Sequence, residues 1–193
     1  MKTTHAVWER ENLGVDAYEI ALDASDTPDM LRQEEARIIA AGAEYIVAKT
    51  PVDCPALLFS MQALGYTFVE TVFHVMIRRD EYHMPASIAR FDRGLRVAER
   101  REEADRERIY ALIRRGVFKS DRVSIDPAFG REKGGNRYAN WLRSMLARGG
   151  FLYEVLSGDK PIGFFVICRK DETTVDPVLM GMYDKSDRSH VVL

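Results

Sequence analysis

The chain of 193 residues contains only two cysteines, Cys54 and Cys168, which excludes a disulfide-stapled secreted scaffold and fits a reducing compartment. No apolar run approaches the ~18 residues that a membrane-spanning helix needs, and residues 1–10 lack the apolar stretch of a secretory signal. Net charge is nearly absent as well. The 28 Lys and Arg against 30 Asp and Glu leave −2, too little to hold a protein on nucleic acid by bulk charge. Histidine is scarce, and His5, His74, His83 and His190 show no metal-ligand spacing with the cysteines, so no metal is expected. Neither a Gly-x-Ser-x-Gly elbow nor a Gly-Lys-Ser/Thr phosphate loop occurs. What the chain does have is core material: 46% hydrophobic residues beside 30% charged ones. That composition fits a soluble, cytoplasmic, globular protein of one large or two small domains.

The near-zero net charge conceals a division. Residues 1–92 hold 8 basic and 15 acidic side chains, and residues 93–193 hold 20 and 15. Within 114–148 there are nine basic residues, among them Arg122 and Arg137, and three acidic ones. A local excess of that size can attract a phosphorylated small molecule or form a solvated face.

Periodicity and punctuation predict two halves of an α/β (α+β) protein, 1–92 and 93–193. In the first, residues 18–22 read as a strand, and Thr27-Pro28 opens a helix with Leu31 and Ile38 on one face. Residues 45–49 read as a second strand, and Asp53 caps a helix bearing Leu57, Leu58, Met61 and Leu64. Residues 68–79 alternate apolar and polar, which predicts a long strand with Val69, Thr71, Phe73, Val75 and Ile77 on one face. This half is therefore expected as β-α-β-α-β. Residues 81–94 read as a linker. In the second half, residues 95–98 open a strand, 102–115 a helix, and 119–136 a polar loop with Gly130, Gly134 and Gly135. A helix follows whose apolar stripe of Tyr138, Trp141, Leu142, Met145 and Leu146 predicts a largely buried Trp141. Strands 151–156 and 161–169 flank Ser157-Gly158-Asp159-Lys160 as a hairpin, and a last strand spans 175–183.

Asp121-Arg122-Val123-Ser124-Ile125-Asp126-Pro127-Ala128-Phe129, then Asn136-Arg137-Tyr138-Ala139-Asn140-Trp141-Leu142, then Pro161-Ile162-Gly163-Phe164-Phe165 together resemble a GNAT-superfamily N-acetyltransferase, of the TDP-fucosamine acetyltransferase type. The resemblance covers about residues 95–183, the front half of that fold, whose sheet is mixed, largely antiparallel and flanked by helices. In 1–92, Trp8-Glu9-Arg10-Glu11-Asn12-Leu13-Gly14 and Leu64-Gly65-Tyr66 are similar to the N-terminal region of the same branch, which resembles the back of a GNAT fold. The two halves are then expected to share one continuous sheet, with 68–79 meeting the second half.

This resemblance implies acetyl-CoA as donor, as a cosubstrate, and a small-molecule primary amine as acceptor, an amino sugar on a nucleotide carrier being one such acceptor. It implies that the donor lies along the last strand at Met180, Gly181, Met182 and Tyr183. Arg122 and Arg137 suit phosphate recognition, and Tyr138 and Trp141 suit stacking on a base or sugar. Glu70, paired with His74 on the predicted strand, and Asp176 are the carboxylates offered for deprotonating the amine. The family's Gln/Arg-x-x-Gly-x-Gly/Ala pyrophosphate loop has no counterpart here, since no glycine follows Gly181. The chain is thus expected to stop before that loop and to hold CoA weakly or not at all. A non-catalytic binding module on a degenerate fold is the alternative expectation. No nucleic-acid or membrane partner is expected, and the linker's length permits a homo-oligomer.

Overall fold

The computed structural model describes residues 1–92 and 94–183, apart from the side chains of 90–92. Among the described residues, seven strands and seven helices make an α+β fold, and the strands fall into two sheets. Two compact units divide the chain, Met1–Glu70 and Thr71–Leu193. No helix among the described residues is long and apolar enough to cross a membrane.

The first unit runs β1 (Lys2–His5), α1 (Trp8–Leu13), β2 (Ala17–Ala21), α2 (Pro28–Ala40), β3 (Tyr45–Lys49), α3 (Pro55–Ala63). Its sheet has the order β1-β2-β3, with β1 antiparallel and β3 parallel to β2. Helix α2 starts where the sequence signals it: the Thr27 hydroxyl accepts from the Met30 N–H at 3.3 Å and Pro28 follows. Leu31 and Ile38 then lie fully buried with Ile20, Leu57 and Met61.

Three expectations for this region change. Strand β1 and helix α1 stand ahead of the first predicted strand, and α1 closes at Gly14 with φ +80°. The cap of α3 is Cys54, with no side-chain cap bond, rather than Asp53. Residues 68–79 form no strand and belong to neither sheet. The expected β-α-β-α-β half and the continuous sheet through 68–79 are therefore absent. Alternation only permits a strand, and the ladder of a neighbouring edge creates it. Without that edge, Phe73 and Val75 stand 80% and 86% exposed.

The second unit runs α4 (Ala86–Asp92), β4 (Leu95–Glu99), α5 (Glu103–Arg114), α6 (Arg122–Ile125), α7 (Gly130–Ala147), β5 (Phe151–Ser157), β6 (Lys160–Arg169), β7 (Val175–Met182). The sheet is antiparallel throughout, in the order β4-β5-β6-β7. Strands β5 and β6 are the predicted hairpin, with Ser157 opposite Lys160 and Gly158 at φ +61°. Helices α5 and α7 cover the face carrying Leu152, Phe164, Val166 and Leu179. In β7 the register slips where Val166 faces Leu179 and Ile167 faces Pro177, so Val178 is the extra residue of a bulge.

The predicted linker 81–94 contains α4, and the predicted loop 119–136 contains α6 and the start of α7. Asp121 caps α6 by accepting from the Val123 and Ser124 N–H groups, so its short polar side chain starts a helix there. Gly134 and Gly135 are buried packing positions of α7 instead of loop residues. They also decide which face of α7 turns inward. Ala139, Leu142 and Met145 are buried, while Trp141 is 37% exposed and not largely buried as its stripe predicts.

Candidate functional site

The most heavily engaged ionised group in the second unit sits in the middle of β5. Residues 152 and 154 share the face that meets α5 and α7, so the same alternation that buries Leu152 also buries Glu154, which is fully inaccessible. A carboxylate there requires partners, and four bonds reach it. Arg108 on α5 grips both oxygens, at 3.0 Å and 2.8 Å. Arg100, just past β4, donates its Nε–H at 2.9 Å, and the Tyr183 hydroxyl donates at 2.7 Å. Asp105 completes the group at 3.5 Å from Arg100 and 3.3 Å from Arg108. Two guanidinium groups thus face two carboxylates, and the cluster is close to neutral.

Burial alone pushes the Glu154 carboxyl upward, yet the bonds from Arg108, Tyr183 and Arg100 hold it below the ordinary carboxylate range. Burial, and then the hydrogen bond to Glu154, push the Tyr183 phenol above its usual value. The Arg108 guanidinium, bonded to Glu154, stays protonated throughout. Chemically, Glu154 is saturated and a poor base, and Tyr183 is a poor acid at neutral pH. The arrangement orients Tyr183 and, through it, the end of β7.

That end carries the predicted donor residues. The Tyr183 N–H donates to the Ile162 carbonyl at 3.0 Å, and its ring stacks on Phe164 at 6.0 Å. Gly181 is required beside it: a Cβ there would lie 2.6 Å from Val117 Cγ1 and 2.9 Å from Phe164 Cε1. Met180 and Met182 alternate with Gly181 and take the opposite face.

Tyr138 meets the same neighbourhood through Phe118, whose ring lies 4.2 Å from that of Tyr138 and against Gly181. Trp141 is 6.0 Å from Tyr138, and the Arg137 guanidinium lies 5.9 Å from the Tyr138 ring. Arg122 opens α6, which packs on α7. The four residues offered for substrate binding are thus gathered on α6 and α7.

Of the two predicted carboxylates, Asp176 is not brought to this end. Asp176 is seven residues before Tyr183, about 23 Å along an extended strand, and pairs with Lys170 at 3.0 Å. Glu70 and His74 lie in the exposed segment 68–79, without the strand that would aim them together. The Cys54 thiol is pushed up by burial and by Asp53, the opposite of an activated nucleophile. Among the described residues no three His, Cys, Asp or Glu side chains come together as a metal site. Glu154, Arg100 and Arg108 escaped the sequence reading because their pairing spans 54 and 46 residues. One signal was available: a glutamate at an inward position of a strongly apolar strand. The chain matches no protein-family model, no curated protein and no solved structure.

Proposed function

We propose that the second unit is an N-acetyltransferase of the GNAT type, moving an acetyl group from acetyl-CoA to a primary amine. The observation that carries this reading is the construction of β7. It is the last strand of its sheet, it has no strand on its outer edge among the described residues, and it is bulged at Val178. An open strand edge supplies alternating N–H and C=O groups that match the amides of a pantetheine arm. A bulge breaks that alternation locally, where a thioester oxygen needs a donor. The Glu154–Tyr183 bond holds the far end of this edge in place. The order of 95–183, a strand, the helices α5, the four-residue α6 and α7, then three strands, also supports the resemblance. The basic excess of 114–148 suits phosphate groups on the donor or on a nucleotide-linked amino sugar.

Acetyl-CoA would supply the activated acyl group. The chain's own residues bind and orient it: the β7 edge holds the arm, and Arg122 and Arg137 offer charge to phosphates. Amine deprotonation is not assigned to Glu154, which is fully bonded.

One observation favours a second reading, a ligand-binding module without turnover. The buried carboxylate at the site is saturated and held ionised, which suits a structural role. A thiol-release assay with acetyl-CoA and a panel of primary amines, run beside calorimetry with CoA, separates the readings. Amine-dependent thiol release supports transfer, and saturable CoA binding without release supports the module. Absence of both at millimolar ligand rejects the CoA site.

A further inference from the structure

The largest anomaly on the molecule's surface is the segment 68–77. Phe68, Val72, Phe73, Val75, Met76 and Ile77 are 60–86% exposed, lie within ten residues of one another along the chain and are free of sheet pairing. Soluble proteins seldom leave so long an apolar, strand-prone stretch in water. As a strand the segment would carry Phe68, Val72 and Met76 on one face and Phe73, Val75 and Ile77 on the other, and what it lacks is an edge.

An edge of matching kind exists on the same chain. Strand β3 pairs only with β2, so its other side is open among the described residues. The root of the segment already lies there: Leu64, Gly65 and Tyr66 line one groove of about 420 Å³ with Tyr45 and Ile46, the first residues of β3. Residues 50–67, which contain α3, suffice for the crossover that joins two parallel strands. That length allows the segment to leave the crossover as a strand parallel to β3.

We propose that the segment 68–77 adds to the β3 edge of a second copy of this chain, giving a strand-exchanged dimer. Donor and acceptor are both present on each copy and both unfilled, so two copies satisfy each other reciprocally and the assembly closes with two-fold symmetry. Area supports closure. Six such side chains expose on the order of 100 Å² each, about 600 Å² per segment. Covering half of it in each of two contacts, with an equal area lost from the accepting edge, buries about 1,200 Å², the lower bound for a stable interface. Gly65, at φ +88°, provides the turn from which the segment departs. This inference is independent of acetyl transfer.

Sedimentation velocity on the 193-residue chain over a wide concentration range tests it, with Phe73→Asp/Val75→Asp as the variant. Both side chains are at least 80% exposed within one copy, so the double variant leaves the folded chain's circular dichroism unchanged. The expected result is a reversible dimer whose dissociation constant rises at least about tenfold in the variant. Amide hydrogen exchange on the unmodified chain gives a second readout: protection over 69–77 that falls on dilution. A monomer at all concentrations, or a dimer indifferent to the double variant, overturns the proposal. So does concentration-independent protection, which means that the segment closes on its own β3. Open-ended aggregates in place of a dimer overturn it too.

Discussion

Glu154 accepts four hydrogen bonds at a position that water does not reach, and its removal leaves two guanidinium groups facing an apolar gap. Glu154→Ala is therefore expected to cost ~3–5 kcal/mol, as broken buried ion pairs do. Tyr183→Phe removes one bond and keeps the ring stacked on Phe164, so a loss of about 1–2 kcal/mol is expected. Chemical denaturation of the two variants should keep that order, and equal losses would mean that the cluster does not act as the geometry implies. Neighbouring residues on α7 give a second contrast. Leu142 is fully buried while Trp141 is 37% exposed. Leu142→Ala is expected to cost ~2–5 kcal/mol, and Trp141→Ala less than Leu142→Ala although it deletes more atoms. The reverse order in urea titrations would place the indole inside.

At the scale of the element, α7 shows how two adjacent glycines differ. Neither has a positive φ, so only space decides. A Cβ on Gly134 would meet the Ser124 hydroxyl, a side-chain atom that can rotate away, and would lie 3.3 Å from Ser124 Cα, a contact that a shift of a few tenths of an ångström relieves. A Cβ on Gly135 would lie 2.9 Å from the Arg114 carbonyl oxygen, which is backbone at the end of α5. Alanine gains up to ~1 kcal/mol of helix propensity at either site, whereas overpacking against a rigid neighbour costs ~1–3 kcal/mol. Gly134→Ala should thus be close to neutral and Gly135→Ala destabilising by about 1 kcal/mol. Thermal unfolding midpoints of the pair would show it, and equal shifts would rule out the α5–α7 approach as the cause.

Over the whole molecule, acid stability should follow the depressed carboxyls, Asp23 and Glu34 in the first unit and Glu99, Glu154 and Asp171 in the second, of which Glu34 and Glu154 are the most buried. Arg37, and then Thr3, hold Glu34 at about 2, and the bonds from Arg108, Tyr183 and Arg100 outweigh burial to hold Glu154 below its ordinary range. A carboxyl with a folded value below its unfolded one adds stability that is complete above the unfolded value. That stability is lost as pH falls through the folded value. Stability is expected to be level from pH 7 to about 5 and to fall from about 4.5 towards 2. Glu154→Gln should flatten part of that fall when denaturant midpoints are followed against pH. An unchanged slope would show that Glu154 has the same affinity for protons in both states.

What local chemistry specifies was legible from the sequence. Thr27-Pro28 opens α2, Ser157-Gly158-Asp159-Lys160 turns the β5–β6 hairpin, and residues 45–49 form β3, because caps and turns are made by residues close in the chain. The α+β class follows from the same signals, whereas the second sheet, expected as mixed and largely antiparallel, is antiparallel throughout. Tertiary structure alone decided three further matters. Residues 68–79 read as a long strand, yet strand formation depends on a neighbouring edge, which no local pattern supplies. The inward face of α7 turned on the close approach of Gly134 to α6 and of Gly135 to α5, and so Trp141 faces outward. The Glu154 cluster joins β5 to residues 46 and 54 positions earlier and 29 later. Packing brings those charges together, and only burial makes their pairing obligatory.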